Sequence, residues 1–262
     1  MLLILGIFIG ILPGFAWLYF FLKEDDRPGP LRLIFLVFFA GALVTFAAIY
    51  LERLYADWIH GAHIATNIFA STHGLQLLAL LLGLALIEEL LKFGVAFASI
   101  HRHPRFDEAL HAMMYMVVAG LGFATAENIL FAMGQVREGI TAGLVSTDVL
   151  GGTVETIVLR FVGATLLHAL ASGLIGYYWA RGIMQGKEKH YLLAGVVSAT
   201  ILHTAFNYLI IKYGNVEIIY PSLILVIAGV IVLYDFEKIK GTPRHIIDMR
   251  AAADEAISGS VQ

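Results

Sequence analysis

The chain has 262 residues, 59% of them hydrophobic and 14% charged, with a mean hydropathy of +0.82, a net charge of -3 and no cysteine. That composition excludes an ordinary soluble domain, and the absence of cysteine excludes disulfides and thiol catalysis. The basic residues are scattered over short connections and form no patch, so nucleic acid is excluded as a partner.

A helix needs ~20 apolar residues to cross a bilayer core, and seven runs meet that length. Continuous runs such as LLALLLGLALI do not alternate as barrel strands do, so the chain reads as all-α, a polytopic transmembrane helical bundle. The first span covers residues 2 to 22. It has no positively charged segment before it and no small-residue cleavage pattern after it, so it is expected to stay as a helix. The second covers 31 to 51, and a connection of 52 to 74 follows, containing His60 and His63 in a weak HxxH arrangement. The third, 75 to 99, carries Glu88, Glu89 and Lys92 in the stretch LIEELLK. The fourth, 108 to 133, carries Phe123, Glu127 and Asn128. After a connection of 134 to 155 the fifth, 156 to 180, carries Arg160, His168 and Ser172. The sixth, 190 to 212, carries His203 and Asn207, and the seventh covers 217 to 235. Residues 1–236 form one transmembrane domain, and 237–262 form a polar C-terminal tail.

Alternate connections share a side of the membrane, and twelve Lys and Arg fall on one side against three on the other. The positive-inside rule then places the N-terminus outside and the C-terminus in the cytoplasm. The two longer connections fall outside, where they could gate a site. Trp17, Tyr19, Trp58, Tyr177, Tyr178 and Trp179 lie at span ends and are expected in the interfacial belts. The histidines outside the spans and at their ends, His111 among them, are expected to be solvated.

A charge at a helix centre costs about 2.5 to 3.5 kcal/mol, so Glu88, Glu89, Lys92, Glu127 and Arg160 would cost roughly 12 to 17 kcal/mol unpaired. Glu88 and Lys92 are four apart on one face, Glu89 is rotated by about 100° toward a neighbouring helix, and Phe123 with Glu127, Arg160 with His168 and Ser172, and His203 with Asn207 repeat steps of four or eight. Small residues crowd these stripes, among them Gly120, Gly122, Gly163, Ala164 and Gly173, and permit close helix approach. The expectation is a polar core built by spans three to six and reached from the outer side.

Burial raises the pKa of a carboxyl and adjacent carboxyls split theirs, which suits general acid and base work near neutral pH. Glu88 or Glu89 could activate water, with His168, His203 and Asn207 around a peptide carbonyl. Glu88, Glu127, His168 and His203 could instead hold zinc or another divalent metal, although no HExxH is present. Serine catalysis by Ser172 is weaker, because GxSxG is absent. The same buried Glu, Lys and His would also suit the proton relay of a transporter or channel, and a non-catalytic scaffold is a third reading.

The four stretches EELLK at 88–92, FATAENILF at 123–131, HALASGLIGY at 168–177 and LHTAFNY at 202–208 together resemble the PrsW family of intramembrane proteases. Its motifs, EExxK, FxxxEN, HxxxSxxxG and HxxxN on successive spans, all occur here in order. Each alone is unspecific; four in order are specific. The family is similar in turn to the CAAX prenyl endopeptidases. The resemblance implies an endopeptidase of the plasma membrane of a bacterium or archaeon, with a membrane-tethered substrate of the anti-sigma-factor kind cut on the outer side. It implies site roles for Glu88, Glu89, Lys92, Phe123, Glu127, His168, Ser172, His203 and Asn207. Whether the chemistry is metal-dependent or glutamic stays open.

Overall fold

The structure, a computed structural model, describes residues 1–23, 25, 29–60, 74–213 and 219–240. His63, His73, Arg27, the centre of the first long connection and the tail beyond 240 lie outside the described residues. Among the described residues every regular element is helical. The helices are α1 (Leu2–Leu22), α2 (Leu31–His60), α3 (Leu75–Ile100), α4 (Ala109–Thr141), α5 (Ser146–Val162), α6 (Ala164–Gln185), α7 (Glu188–Tyr213) and α8 (Ile219–Lys240).

Six helical runs are long and apolar enough to cross a membrane, with α5 and α6 counting as one run from Ser146 to Gln185. The expected third span, α3, has the length, at 26 residues. Every 20-residue window within it contains Glu88, Glu89 and Lys92 together. Exposed Phe8, Leu12, Leu43, Phe46, Leu223, Val226 and Val230 cover the outer faces of α1, α2 and α8, as lipid contact requires.

The bundle is organised around α4. It is apolar on all sides, the pattern of a helix surrounded by protein, and every residue from Ala109 to Ala126 is buried. Helices α1, α2, α3, α5, α6 and α8 all pack on it, while α7 closes the bundle against α3, α6 and α8. Small residues set the separations. A Cβ at Gly122 would collide with the backbone of Phe38 in α2, and one at Gly176 with the backbone of Met113 in α4. Gly120 meets Ser172 and the His168 carbonyl of α6 in the same way. These contacts bring α2 and α6 onto α4 at backbone distance, which is what aligns their polar stripes.

The fifth expected span is divided at Gly163, whose φ of -97° and ψ of -95° take the chain out of helical geometry between α5 and α6. Beside the break, Trp17 Nε1 donates to the Phe161 carbonyl at 2.9 Å, and the two rings stack with centroids 5.5 Å apart. The turn after α6 closes on Gly186, at φ 63°, with Lys187 N donating to the Gly182 carbonyl at 2.9 Å.

The helices run further than their apolar cores. Most of the connections read as 52–74 and 134–155 is helical where described, so α2, α4 and α5 carry their polar residues beyond the apolar run. Two other expectations are corrected. Trp179 is 1% exposed, enclosed by Phe93, Phe97 and Phe106, so it is core and not interface. His111 is also buried, with Nδ1 3.1 Å from Asp107 Oδ1 and Nε2 4.0 Å from Asp25 Oδ2.

The α2–α4 contact gives a stability prediction. Gly122→Leu should destabilise the fold by about 1–3 kcal/mol through overpacking, read as a lowered thermal midpoint in detergent by circular dichroism. Gly134→Ala, where a Cβ meets nothing within 4 Å, should not lower that midpoint.

Candidate active site

The site begins with the acids of α3. Glu88, Glu89 and Lys92 all face inward toward α6 and α7, and Glu89 and Lys92 are wholly inaccessible. Lys92 Nζ donates to Glu88 Oε2 at 3.1 Å and to Glu89 Oε1 at 2.9 Å, and lies 2.7 Å from His168 Nδ1. An ammonium has three N–H groups and no acceptor, so these three partners saturate it. Its charge also lies over the ring of Phe123, 4.5 Å from the centroid, which gives that aromatic a physical role. Lys92 is therefore a buried hub, and Glu89 is not aimed away from it as the helical rotation alone suggested.

The lysine assigns the histidine tautomers. His168 Nδ1 accepts from Lys92, so its hydrogen resides on Nε2, which donates to Glu127 Oε2 at 2.9 Å. Glu127 Oε2 also accepts from Arg160 Nη2 at 3.0 Å, and Arg160 Nε donates to Asn128 Oδ1 at 2.6 Å. Asn128 Nδ2 then donates to Thr165 Oγ1 at 2.9 Å, directly after the Gly163 break. Arg160 stacks over Phe131 at 3.9 Å. On α7, His203 Nδ1 donates to Glu89 Oε1 at 2.8 Å, because a carboxylate can only accept. The second ring nitrogen, Nε2, then carries a lone pair and lies 3.9 Å from Glu88 Oε2.

Four helical runs thus contribute to one network, as the stripes predicted, and the network opens in one direction. Side-chain exposure is 0% at Lys92 and Glu89, 9% at Glu88, 14% at Arg160 and 23% at Glu127. The more open groups lie toward the end of the bundle where α2, α4 and α7 finish and α5 begins.

Glu88, Glu89, His168 and His203 are buried, and each offers a ligand atom such that all lie within 4.8 Å of one another. This set differs from the one read from sequence by containing Glu89 where Glu127 was expected; Glu127 is instead bonded to His168 Nε2 and Arg160. The nitrogen and oxygen donors suit a zinc-like ion, and Glu89 Oε2 is buried with no hydrogen-bond partner, so it has a lone pair to offer. Lys92 occupies His168 Nδ1, and that nitrogen becomes a ligand only if the ammonium withdraws.

Two of the expected supporting residues stand apart. Ser172 Oγ is buried without a hydrogen-bond partner and packs on Gly120, so it serves the α4–α6 contact. Asn207, half-buried one turn beyond His203, makes no hydrogen bond to the network among the described residues. One residue was missed: Glu52, on α2, whose carboxyl is near enough to Glu88, Glu127 and Lys92 to interact with them electrostatically. Its signal was present, since Gly41, Thr45, Ala48 and Glu52 continue one helical face of small and polar residues.

Comparisons with known proteins give the family. The chain is 29% identical over 204 residues to Protease PrsW of Geobacillus kaustophilus (strain HTA426), covering 77% of this chain and 78% of that one. It is 24% identical over 210 residues to Protease PrsW of Bacillus subtilis (strain 168), covering 79% and 83%. With Protease PrsW of Oceanobacillus iheyensis it shares 27% identity over 231 residues, covering 87% and 93%. No solved structure matches. Residues 29–234, which include every side chain of the network, match the description "PrsW family intramembrane metalloprotease", so the chain belongs to that family and is a multi-pass membrane peptidase.

Proposed function

We propose that this membrane peptidase hydrolyses a peptide bond of a membrane-tethered protein, with water activated by Glu88. The observation that carries the proposal is the buried group of Glu88, Glu89, His168 and His203, whose ligand atoms converge within 4.8 Å. Within it the two glutamates have different freedom. Glu89 Oε1 is committed to both Lys92 and His203, and its work is to orient the His203 ring. Glu88 is more open, and its Oε2 stands 3.7 Å from His168 Nδ1 and 3.9 Å from His203 Nε2. A water between Glu88 and the His203 lone pair can lose its proton to Glu88 as its oxygen bonds to the peptide carbonyl carbon. The proton then passes to the leaving nitrogen as the C–N bond breaks.

The remaining residues hold this arrangement. Lys92 has no free N–H for substrate and acts by fixing both carboxylates and His168. Glu127, Arg160 and Asn128 fix His168 from its other nitrogen. Asn207, with its amide free of the network, is the donor for the developing oxyanion. A zinc-like divalent ion would be held by Glu88, Glu89 and His203, and by His168 only with the Lys92 ammonium displaced from its Nδ1. When bound, it supplies Lewis acidity toward the carbonyl and the attacking water.

The open end of the network is the outer side by the Lys and Arg bias, so the cut falls near the outer leaflet of a bacterial plasma membrane. The family resemblance supports a single-span substrate of the anti-sigma-factor kind. A proton-coupled transporter is not favoured, since the relatives are named as proteases.

In detergent, cleavage of a single-span test substrate should fall by about 10²–10⁴-fold in Glu88→Ala, Glu89→Ala and His203→Ala, and unchanged cleavage in all three would remove the site assignment. Chelation should abolish cleavage and added zinc restore it; cleavage indifferent to chelator would leave a glutamic mechanism. Because the chain has no cysteine, single substitutions report sidedness cleanly. Leu144→Cys should react with an impermeant maleimide in intact cells and Lys187→Cys only after permeabilisation; the reverse result would invert the orientation.

A further inference from the structure

We infer that Thr165 is a further positioning residue of the site, acting on His168 through Asn128, Arg160 and Glu127. The inference rests on the reading of His168 as part of the reacting site.

Thr165 is the second residue of α6, two places after the break at Gly163, and is wholly inaccessible. Its hydroxyl oxygen accepts from Asn128 Nδ2 at 2.9 Å, and Asn128 is wholly inaccessible too. The other end of that amide, Oδ1, accepts from Arg160 Nε at 2.6 Å. A guanidinium carries donors only, so it has to meet the amide oxygen, and the amide nitrogen is left for Thr165. The threonine oxygen is thus the acceptor that keeps the amide from turning its N–H groups against Arg160.

Arg160 and Thr165 are five residues apart, which in a continuous helix is a rotation of about 140°. Here the non-helical Gly163 lies between them, and both side chains meet one amide of α4. The break is itself held in place. Trp17 Nε1 donates to the Phe161 carbonyl at 2.9 Å, and the Phe206 ring of α7 would be 3.4 Å from a Cβ at Gly163.

From Asn128 the directions pass toward the reacting site. Arg160, stacked over Phe131, sends Nη2 to Glu127 Oε2 at 3.0 Å, and the same oxygen accepts from His168 Nε2 at 2.9 Å. Four hydrogen bonds therefore connect Thr165 to His168, three residues further along α6, and the ring closes through that helix. Water does not reach Thr165 or Asn128, so nothing replaces a lost hydroxyl there. Without it the amide can turn, Arg160 loses its anchor at Nε, and Glu127 no longer holds the imidazole in one orientation. Partners behind a working imidazole are worth ~10–100-fold, and Thr165, three hydrogen bonds behind Glu127, falls at the lower end.

The test uses the full-length protein in detergent. It compares the parent with Thr165→Val, Thr165→Ala, Thr165→Ser, Asn128→Leu, the Asn128→Leu/Thr165→Val double variant and His168→Ala. The measurements are kcat and KM on a single-span substrate, with the thermal midpoint by circular dichroism as the check of folding. Thr165→Val, which keeps the shape and loses the hydroxyl, should lower kcat by ~10-fold with KM unchanged. Thr165→Ser, which keeps the hydroxyl, should stay within about threefold of the parent, and Thr165→Ala should fall with Thr165→Val. Adding Thr165→Val to Asn128→Leu should cost no further kcat, since the effect passes through the amide. Where Thr165→Val does not fold, Thr165→Ala against Thr165→Ser decides in the same way.

Parental kcat in Thr165→Val overturns the inference, and so does Thr165→Ser as impaired as Thr165→Ala, because a hydroxyl would then not be what the residue supplies. A full further loss in the double variant overturns it as well, by showing action independent of Asn128. An impaired His168→Ala beside a parental Thr165→Val removes this inference alone. Parental cleavage by His168→Ala removes the reading of the site and the inference together.

Discussion

Charges within apolar helices have to be neutralised by the protein itself, because a bilayer core offers neither water nor counterions. Lys92 is where that requirement is met. Its three N–H groups go to two carboxylates and one imidazole nitrogen on two different helices, and its charge rests on the Phe123 ring of a third. Replacing it with an apolar side chain would leave two adjacent carboxylates buried and facing each other. Breaking a buried pair in this way costs about 3–5 kcal/mol, so the lysine is tied to the integrity of α3 in its place.

From this hub the rest of the network inherits its directions. The lysine makes His168 Nδ1 an acceptor, which makes its Nε2 a donor to Glu127, which in turn draws in Arg160 and Asn128. Glu89 receives both Lys92 and His203, so His203 presents its lone pair toward Glu88. Each histidine thus has one nitrogen fixed by a carboxylate, the arrangement by which proteins hold imidazole ligands and bases in orientation. The polar chain is continuous from the closed end at Lys92 to the open end at Glu127 and Arg160.

Close packing makes the chain of contacts possible. Lipid tails are as apolar as the side chains they touch, so helix association in a membrane relies on van der Waals contact and interhelical hydrogen bonds. Gly120, Gly122 and Gly176 bring α2 and α6 against α4 where no Cβ would fit. The break at Gly163, closed over by Trp17, lies between Arg160 and His168, which meet at Glu127 from α5 and α6. A single straight helix would place residues eight apart more than two turns from each other along the axis, ~12 Å.

The sequence by itself determined the helical class and the set of helices that carry the polar network, because hydropathy and a step of four are local properties of the chain. It also made the Glu, Lys and His stripes visible, since ionisable residues inside apolar runs are anomalies of composition. It did not reveal Glu52, because an apolar run ends at its first charges and Glu52 with Arg53 stops the count, although α2 continues to His60. Nor did it tell Ser172, a packing residue, from Lys92, a saturated hub, since both merely occur on polar stripes. The exchange of Glu127 for Glu89 among the converging ligand atoms and the tautomers of His168 and His203 were decided only by tertiary structure. Each depends on which oxygen meets which nitrogen across a helix interface, and that follows from helix separation and rotation, which no single helix encodes.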